Sequence, residues 1–199
     1  NQGAVLPIAS ITKLMTAMVI LDAGLNLEQR VAISGEDNDL VKGTRSRLRP
    51  GTVLTRDELL LLALMSSENR AAASLGRTYP GGTDAFVAAM NAKAQALGMG
   101  SSRFVDASGL SSANVATAHD LARLVAAAHE YPLIRQYSTR ESATVQSFGR
   151  ALGYRNTNGL VRSAHWDVSL SKTGYLSEAG RCLVMRVRLA SREVIVVLL

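Results

Sequence analysis

The chain has one cysteine, Cys182, which forbids a disulfide within it and is otherwise silent about compartment. It also lacks long hydrophobic runs. The purely apolar stretches fall well short of the roughly 20 residues that span a bilayer, and no basic segment with a cleavage site precedes them, so no integral membrane segment is expected. Aromatic residues make up only 5% of the chain, and none lies among Arg45, Arg47 and Arg49, the densest basic cluster. That cluster therefore reads as a solvated loop, and nucleic acid is not expected as a partner. Histidine is confined to His119, His129 and His165, isolated from one another and without H-E-x-x-H or a similar compact spacing, so neither a metal nor another cofactor is expected. The absence of a G-x-S-x-G elbow removes support for a serine-histidine triad. Acidic residues are outnumbered, 16 against 22 Lys and Arg, and the net charge of +6 favours acidic partners in general.

What the chain does have is apolar material. At 199 residues and 47% hydrophobic, without a repeat or a Pro/Gly/Ser-rich linker, it reads as one unit or two intimately joined lobes. Residues 8 to 23 predict a helix that is apolar nearly all round and therefore buried. Thr55 and Glu58 fit a capping box before the run Leu59 to Met65, and a further helix is predicted from Asn69 to Arg77 after the polar break Ser66-Ser67-Glu68. Thr83 is a candidate cap for a helix ending at Gly98, and Thr117 with Asp120 for another. From about Glu141 the pattern alternates, with strands over His165 to Lys172, Arg181 to Leu189 and Glu193 to Leu199 and a turn at Ala190-Ser191-Arg192. The layout is an all-helical insert, about 24–140, between an early buried helix and sheet strands at about 141–199.

Between Ile8 and Leu21 the only ionisable side chain is Lys13. Ser10 could be an ordinary N-cap, but a capping box wants Glu or Gln three residues on, and a cation there meets the positive end of the helix dipole. Burial on an apolar helix disfavours the ammonium form further and makes a free amine accessible near neutral pH. At spacing i to i+3 that amine shares a face with Ser10 and can act as its general base. About one S-x-x-K match is expected by chance in such a chain, and a second does occur at Ser169-Leu170-Ser171-Lys172. It lies on a predicted strand, where residues three apart face opposite ways.

Two more short motifs follow in order, Ser67-Glu68-Asn69 and Lys172-Thr173-Gly174. Ser112-Ala113-Asn114 competes for the middle place, but it sits in a run of small polar residues that reads as a surface loop, whereas Ser67 lies at a break between helices. With the stretches "ASITKLMTAMVILDA", "LMSSENRAAASL", "NAKAQALGM", "RNTNGLV", "SKTGY" and "GRCLVMR", the chain resembles the low-molecular-mass penicillin-binding proteins, serine D-alanyl-D-alanine peptidases, and among them the periplasmic D-alanyl-D-alanine endopeptidases. The resemblance implies an α+β fold of the penicillin-binding protein and serine β-lactamase type, an antiparallel sheet packed on helices with a helical subdomain. It implies a periplasmic location, peptidoglycan as substrate, and β-lactams as covalent inhibitors.

By the same resemblance Ser10 is the nucleophile and Lys13 its base, and Ser67 with Lys172 returns a proton to the leaving amine. Asn69 binds the substrate amide carbonyl, and Thr173 and Lys172 meet an anionic group. Gly174 leaves the strand edge clear for an extended peptide, and the amides of Ser10 and Tyr175 form the oxyanion hole. Glu68 stands where the pattern has Asp, and its role is open. Glu130 and Glu141 do not sit in the E-x-x-L-N pattern by which class A β-lactamases deacylate, so fast antibiotic hydrolysis is not expected. Two alternatives to an endopeptidase remain, a D-alanyl-D-alanine carboxypeptidase and a non-catalytic β-lactam sensor or wall-binding module. The family also places strands before the nucleophile helix and a helix after the last strand. Residues 1–7 are too short for a hairpin, so 1–199 reads as a single catalytic domain shortened at both ends.

Overall fold

The computed structural model describes residues 2–199. In chain order its helices are α1 (Thr12–Asp22), α2 (Arg56–Met65), α3 (Asn69–Arg77), α4 (Gly82–Ala96), α5 (Ala118–His129) and α6 (Pro132–Thr139). Its strands are β1 (Leu6–Pro7), β2 (Arg30–Ala32), β3 (Val53–Thr55), β4 (Val115–Ala116), β5 (Ser142–Ser147), β6 (Arg150–Arg155), β7 (Asp167–Leu176), β8 (Gly180–Leu189) and β9 (Arg192–Leu198). The class is α+β, as the motifs imply.

Helix α1 is the centre of the core. Every residue from Thr12 to Ile20 is buried, because a helix without a polar face has no side to offer water. It packs against α2, α3, α4, α5 and α6. Ahead of it a 3-10 turn, Ala9–Ile11, carries Ser10. Helix α2 begins with the anticipated capping box: the Glu58 N–H donates to Thr55 Oγ1 at 3.1 Å, and the Thr55 N–H donates to the Glu58 carboxylate at 2.8 Å. Its apolar run ends where Ser66 N, Ser66 Oγ and Glu68 N all donate to the Leu62 carbonyl. Thr117 caps α5 by accepting from the Asp120 N–H.

The main sheet is antiparallel in the order β7-β8-β9, so β7 is an edge strand. Helices α5 and α6 pack on this sheet. The link between β8 and β9 is the pair Ala190-Ser191, one residue shorter than the sequence suggested, with Ala190 at φ +55°. Strand β7 continues past Lys172 to Leu176, which puts Lys172-Thr173-Gly174 inside a strand.

Several expectations are corrected. The segment 24–140 is not all helical, since β2 pairs with β3 and β4 pairs with β1 in separate small sheets. Thr83 is inside α4 and caps nothing. The cap is Gly81, whose left-handed φ of +87° turns the chain into the helix without a side-chain bond. Strands β5 and β6 form a hairpin of their own, outside the main sheet. Ser169 falls at a register shift between Val168 and Leu170, so simple alternation does not hold there. The conclusion survives on other grounds, because the Ser169 hydroxyl donates to the Arg186 carbonyl.

Two backbones meet where α1 begins. Gly109 has φ +81°, and a Cβ there would lie 2.0 Å from the Ala9 carbonyl oxygen. Gly149 has a similar φ of +72° with nothing within 4 Å of the same position. Gly149→Ala should therefore cost only the conformational term of roughly 1–2 kcal/mol. Gly109→Ala adds overpacking of a further 1–3 kcal/mol, about 2–5 kcal/mol in total. Denaturant midpoints of the two variants measure the difference, and equal midpoints would mean that the contact with Ala9 carries no energy.

Candidate active site

The 3-10 turn before α1 is strained. Ala9, immediately before Ser10, has φ +47°, an uncommon conformation for a residue with a Cβ. Thr12 Oγ1 donates to the Ala9 carbonyl at 2.8 Å, and Gly109 packs against that same carbonyl and hydroxyl. The Ser10 side chain lies over the first turn of α1 and does not cap it: the N-cap position is Ile11, with no side-chain bond.

Lys13 is fully buried. Its Nζ donates to Ser10 Oγ at 2.8 Å, to Asn69 Oδ1 at 2.8 Å and to the Ser108 carbonyl at 2.5 Å. Burial pushes its pKa down to about 7, against the opposing pull of the Asp106 and Glu68 carboxylates. A substantial share of the amine is therefore uncharged at neutral pH. An uncharged amine at hydrogen-bond distance from a hydroxyl can take its proton.

Across the site Lys172, also buried, donates to Ser67 Oγ at 2.9 Å and to the Thr173 carbonyl at 2.8 Å. Burial, and next the charge of Lys13, hold its pKa well below the ordinary lysine value. Ser67 is itself at φ +60° in the break between α2 and α3. Glu68 follows as the N-cap of α3, its carboxylate accepting from the Arg70 N–H at 3.3 Å, which gives a structural reason for an acid at the middle of that motif.

The structure gives a steric reason for glycine at position 174, beside the substrate clearance expected from the sequence. A Cβ on it would meet Ala9 Cβ at 3.1 Å, Ser10 N at 3.1 Å and the Ile8 carbonyl at 3.2 Å, so its bareness lets the β7 edge approach the backbone of the nucleophile turn. Tyr175, next along β7, is 68% exposed. Ser10, Ser67, Asn69, Thr173, Gly174 and Tyr175 line one open cleft of about 790 Å³. The structure thus brings together all eight predicted positions. The competing Ser112 lies exposed in a turn, and Asn114 is buried, bonded to Asp106 and to the Ser111 carbonyl.

Sequence reasoning missed four participants. Thr157 also lines the cleft, its hydroxyl 2.6 Å from that of Thr173, in a turn fixed by Asn156 and Asn158; the bracketing asparagines of "RNTNGLV" were the available signal. Thr44 accepts from Asn69 Nδ2 at 3.1 Å. Arg181, opposite Tyr175 in the ladder, reaches the same cleft. Asp106 gathers the loop that presents the Ser108 carbonyl to Lys13. It accepts from Ser108 N, Ser108 Oγ, Gly109 N, Ser111 N and Asn114 Nδ2. Burial alone would raise its pKa, but these bonds hold it below the ordinary value.

A family profile described as D-alanyl-D-alanine carboxypeptidase matches residues 1–199. The chain is 54% identical over 188 residues to a Pseudomonas aeruginosa protein named D-alanyl-D-alanine endopeptidase, covering 94% of this chain and 61% of the relative. It is 50% identical over 195 residues to an Escherichia coli protein of the same name, covering 97% and 63%. The chain thus spans a little over three fifths of the length of these relatives. Among solved structures it is similar to a D-alanyl-D-alanine carboxypeptidase from Mycobacterium tuberculosis, with TM-score 0.87 and 30% identity over 98% of this chain and 74% of that one.

The Asp106 loop gives a test with a definite sign. A carboxyl whose folded pKa is depressed contributes stability that is present above its unfolded value, about 3.9, and is lost as pH falls through the folded value. Asp106→Asn turns one acceptor into a donor facing the Ser111 N–H and the Asn114 amide. The expected loss is about 2–3 kcal/mol at neutral pH, shrinking against the parent protein below about pH 4. Unfolding temperature followed from pH 7 to pH 2 checks it; a constant difference across that range would remove the charge from the explanation.

Proposed function

The chain belongs to the D-alanyl-D-alanine carboxypeptidase family, and from that premise we propose that it is a serine DD-peptidase of peptidoglycan that opens D-alanyl to diaminopimelyl cross-links. The observation that carries the proposal is the fully buried Lys13 amine 2.8 Å from Ser10 Oγ. Ser10 Oγ attacks the D-alanyl carbonyl carbon while Lys13 takes its proton. The oxyanion that forms meets the N–H groups of Ser10 and Tyr175, on the two backbones that Gly174 lets come together. Collapse breaks the C–N bond, and the proton that Lys13 took passes by way of Ser67 Oγ, which Lys172 contacts, to the departing amine, which leaves Lys13 neutral again. The ester left on Ser10 is then hydrolysed by water, with Lys13 accepting the water proton and the serine regaining its own.

The other residues fit binding roles. Asn69 spends its carbonyl on Lys13 and one amide hydrogen on Thr44, leaving a second hydrogen for the substrate carbonyl. The free edge of β7 suits an extended peptide. Thr173 and Thr157, with Arg181, supply donors for a carboxylate on the leaving side. A substrate of this kind lies outside the cytoplasmic membrane, so the reading carries a periplasmic location with it, and acylation by β-lactams follows from the same nucleophile. The endopeptidase preference draws its support from the names of the two most similar relatives described above. A carboxypeptidase is the second reading, favoured by the description of the family profile and by the solved structure.

Fluorescent penicillin should label Ser10. Ser10→Ala and Lys13→Met should abolish labelling with the fold retained, and Lys13→Arg should also fail because a guanidinium has no lone pair to offer. Undiminished labelling of Lys13→Met would refute the base assignment. Because Lys13 must lose a proton to act, the acylation rate should rise with pH through about 7 and fall roughly tenfold per unit on the acid side. On cross-linked muropeptide, chromatography should show separated monomers; release of free D-alanine alone would decide for the carboxypeptidase.

A further inference from the structure

A second cleft, of about 570 Å³, lies between the loop before β3 and the β5–β6 hairpin, and it shares no lining residue with the catalytic cleft. Arg47, Arg49 and Arg150 line it, and no acidic side chain does. All three are exposed, and among the described residues none forms an ion pair with a carboxylate. Three guanidiniums gathered without an anion leave their forked donors for something outside the chain.

The walls are built structures. Thr52 Oγ1 and Ser147 Oγ, both from buried residues, are 2.8 Å apart and join the loop to the hairpin. The Arg47 guanidinium sits 4.0 Å from the centre of the Tyr154 ring, which fixes its position. Phe148 is 67% exposed at φ +48°, and its ring edge lies so close to Gly51 that a Cβ there would meet it at 3.2 Å. An aromatic ring held out in solvent beside three cations suits a ligand with both carboxylates and sugar rings.

The same loop reaches the active site. Thr44, which holds Asn69, precedes Arg47 by three residues and Arg49 by five. We propose that this cleft is a second binding site, where the arginines take the carboxylates of a peptidoglycan stem peptide that is not being cleaved. It would hold the polymer while Ser10 acts elsewhere on it. The proposal rests on the peptidoglycan reading above. Tethering at two points raises the effective concentration of the scissile peptide without any new catalytic contact.

The test is co-sedimentation of the chain with purified sacculi, run beside fluorescent-penicillin labelling. The double variant Arg49→Glu/Arg150→Glu should bind sacculi roughly tenfold more weakly, and Arg49→Gln/Arg150→Gln weakly in the same direction. A control with the same charge change on exposed arginines elsewhere, Arg30→Glu/Arg192→Glu, should stay within about threefold of the parent protein. Labelling rates should be equal in all of them, and amidation of the sacculus carboxyls should weaken binding of the parent as the cleft variant does. Equal loss in the control would reduce the effect to general charge and overturn the site. So would full binding by the cleft variant, undiminished binding of the parent to amidated sacculi, or loss of labelling in the cleft variant. If the parent itself fails to label, the peptidase reading falls while the sedimentation comparison still decides the second site.

Discussion

Keeping the Lys13 amine out of water is the constraint from which most of the site follows. A shift from 10.5 to about 7 represents on the order of 5 kcal/mol of differential interaction against the charged form. Left without partners, the same amine would also carry the penalty of unsatisfied buried donors. The chain meets this with three acceptors from three separate places: Ser10 from the turn before α1, Asn69 from the start of α3 and the Ser108 carbonyl from the Asp106 loop. Those acceptors are also what a productive site requires, since each fixes the amine against the serine hydroxyl. Asp106 and Glu68 temper the shift, and both are committed elsewhere, one to organising a loop and the other to capping a helix.

Such placement is expensive in backbone conformation. Ala9 and Ser67, each adjacent to or bearing a reactive hydroxyl, occupy left-handed φ values that cost roughly 1–2 kcal/mol apiece outside glycine. Glycine is used where the constraint is steric. Gly109 lets a loop touch Ala9, and Gly174 lets a strand edge touch Ser10. The buried helix α1 and the apolar run of α2 supply the packing that holds these strained points in place.

How much of this the sequence disclosed depended on the range of the interaction. Ser10 and Lys13 are legible because a helix turn makes i to i+3 a contact, and Thr55 with Glu58 because a capping box is equally local. Lys172-Thr173-Gly174 and Ser67-Glu68-Asn69 were found as patterns, although the true neighbour of Gly174, the turn at Ala9, is invisible from either. The Asp106 loop, Thr44 and Thr157 act through polar contacts between distant segments. Contacts of that kind leave no periodicity. Thr83 misled for a local reason: the Gly81-Gly82 pair before it already supplies the left-handed entry to α4, so no hydroxyl cap is used. The bulge at Ser169 escaped because a register shift depends on the partner strand, here β8.

The two kinds of cation in this chain are divided by what each can do with a proton. Lysine loses its proton when burial makes the charge costly, so the two lysines inside the site are the groups through which protons can move. They also oppose each other: the charge of Lys13 disfavours protonation of Lys172, so the two amines are not readily charged at once. Arginine's forked donors suit it to holding anions rather than passing protons, and Arg47, Arg49 and Arg150 lie exposed at the second cleft without a carboxylate partner among the described residues. The net charge of +6 is therefore no uniform property of the molecule. Burial sets two of its lysines beside the serine hydroxyls, Arg77, Arg186 and Arg188 are paired with the chain's own carboxylates, and the three arginines of the second cleft are left facing solvent.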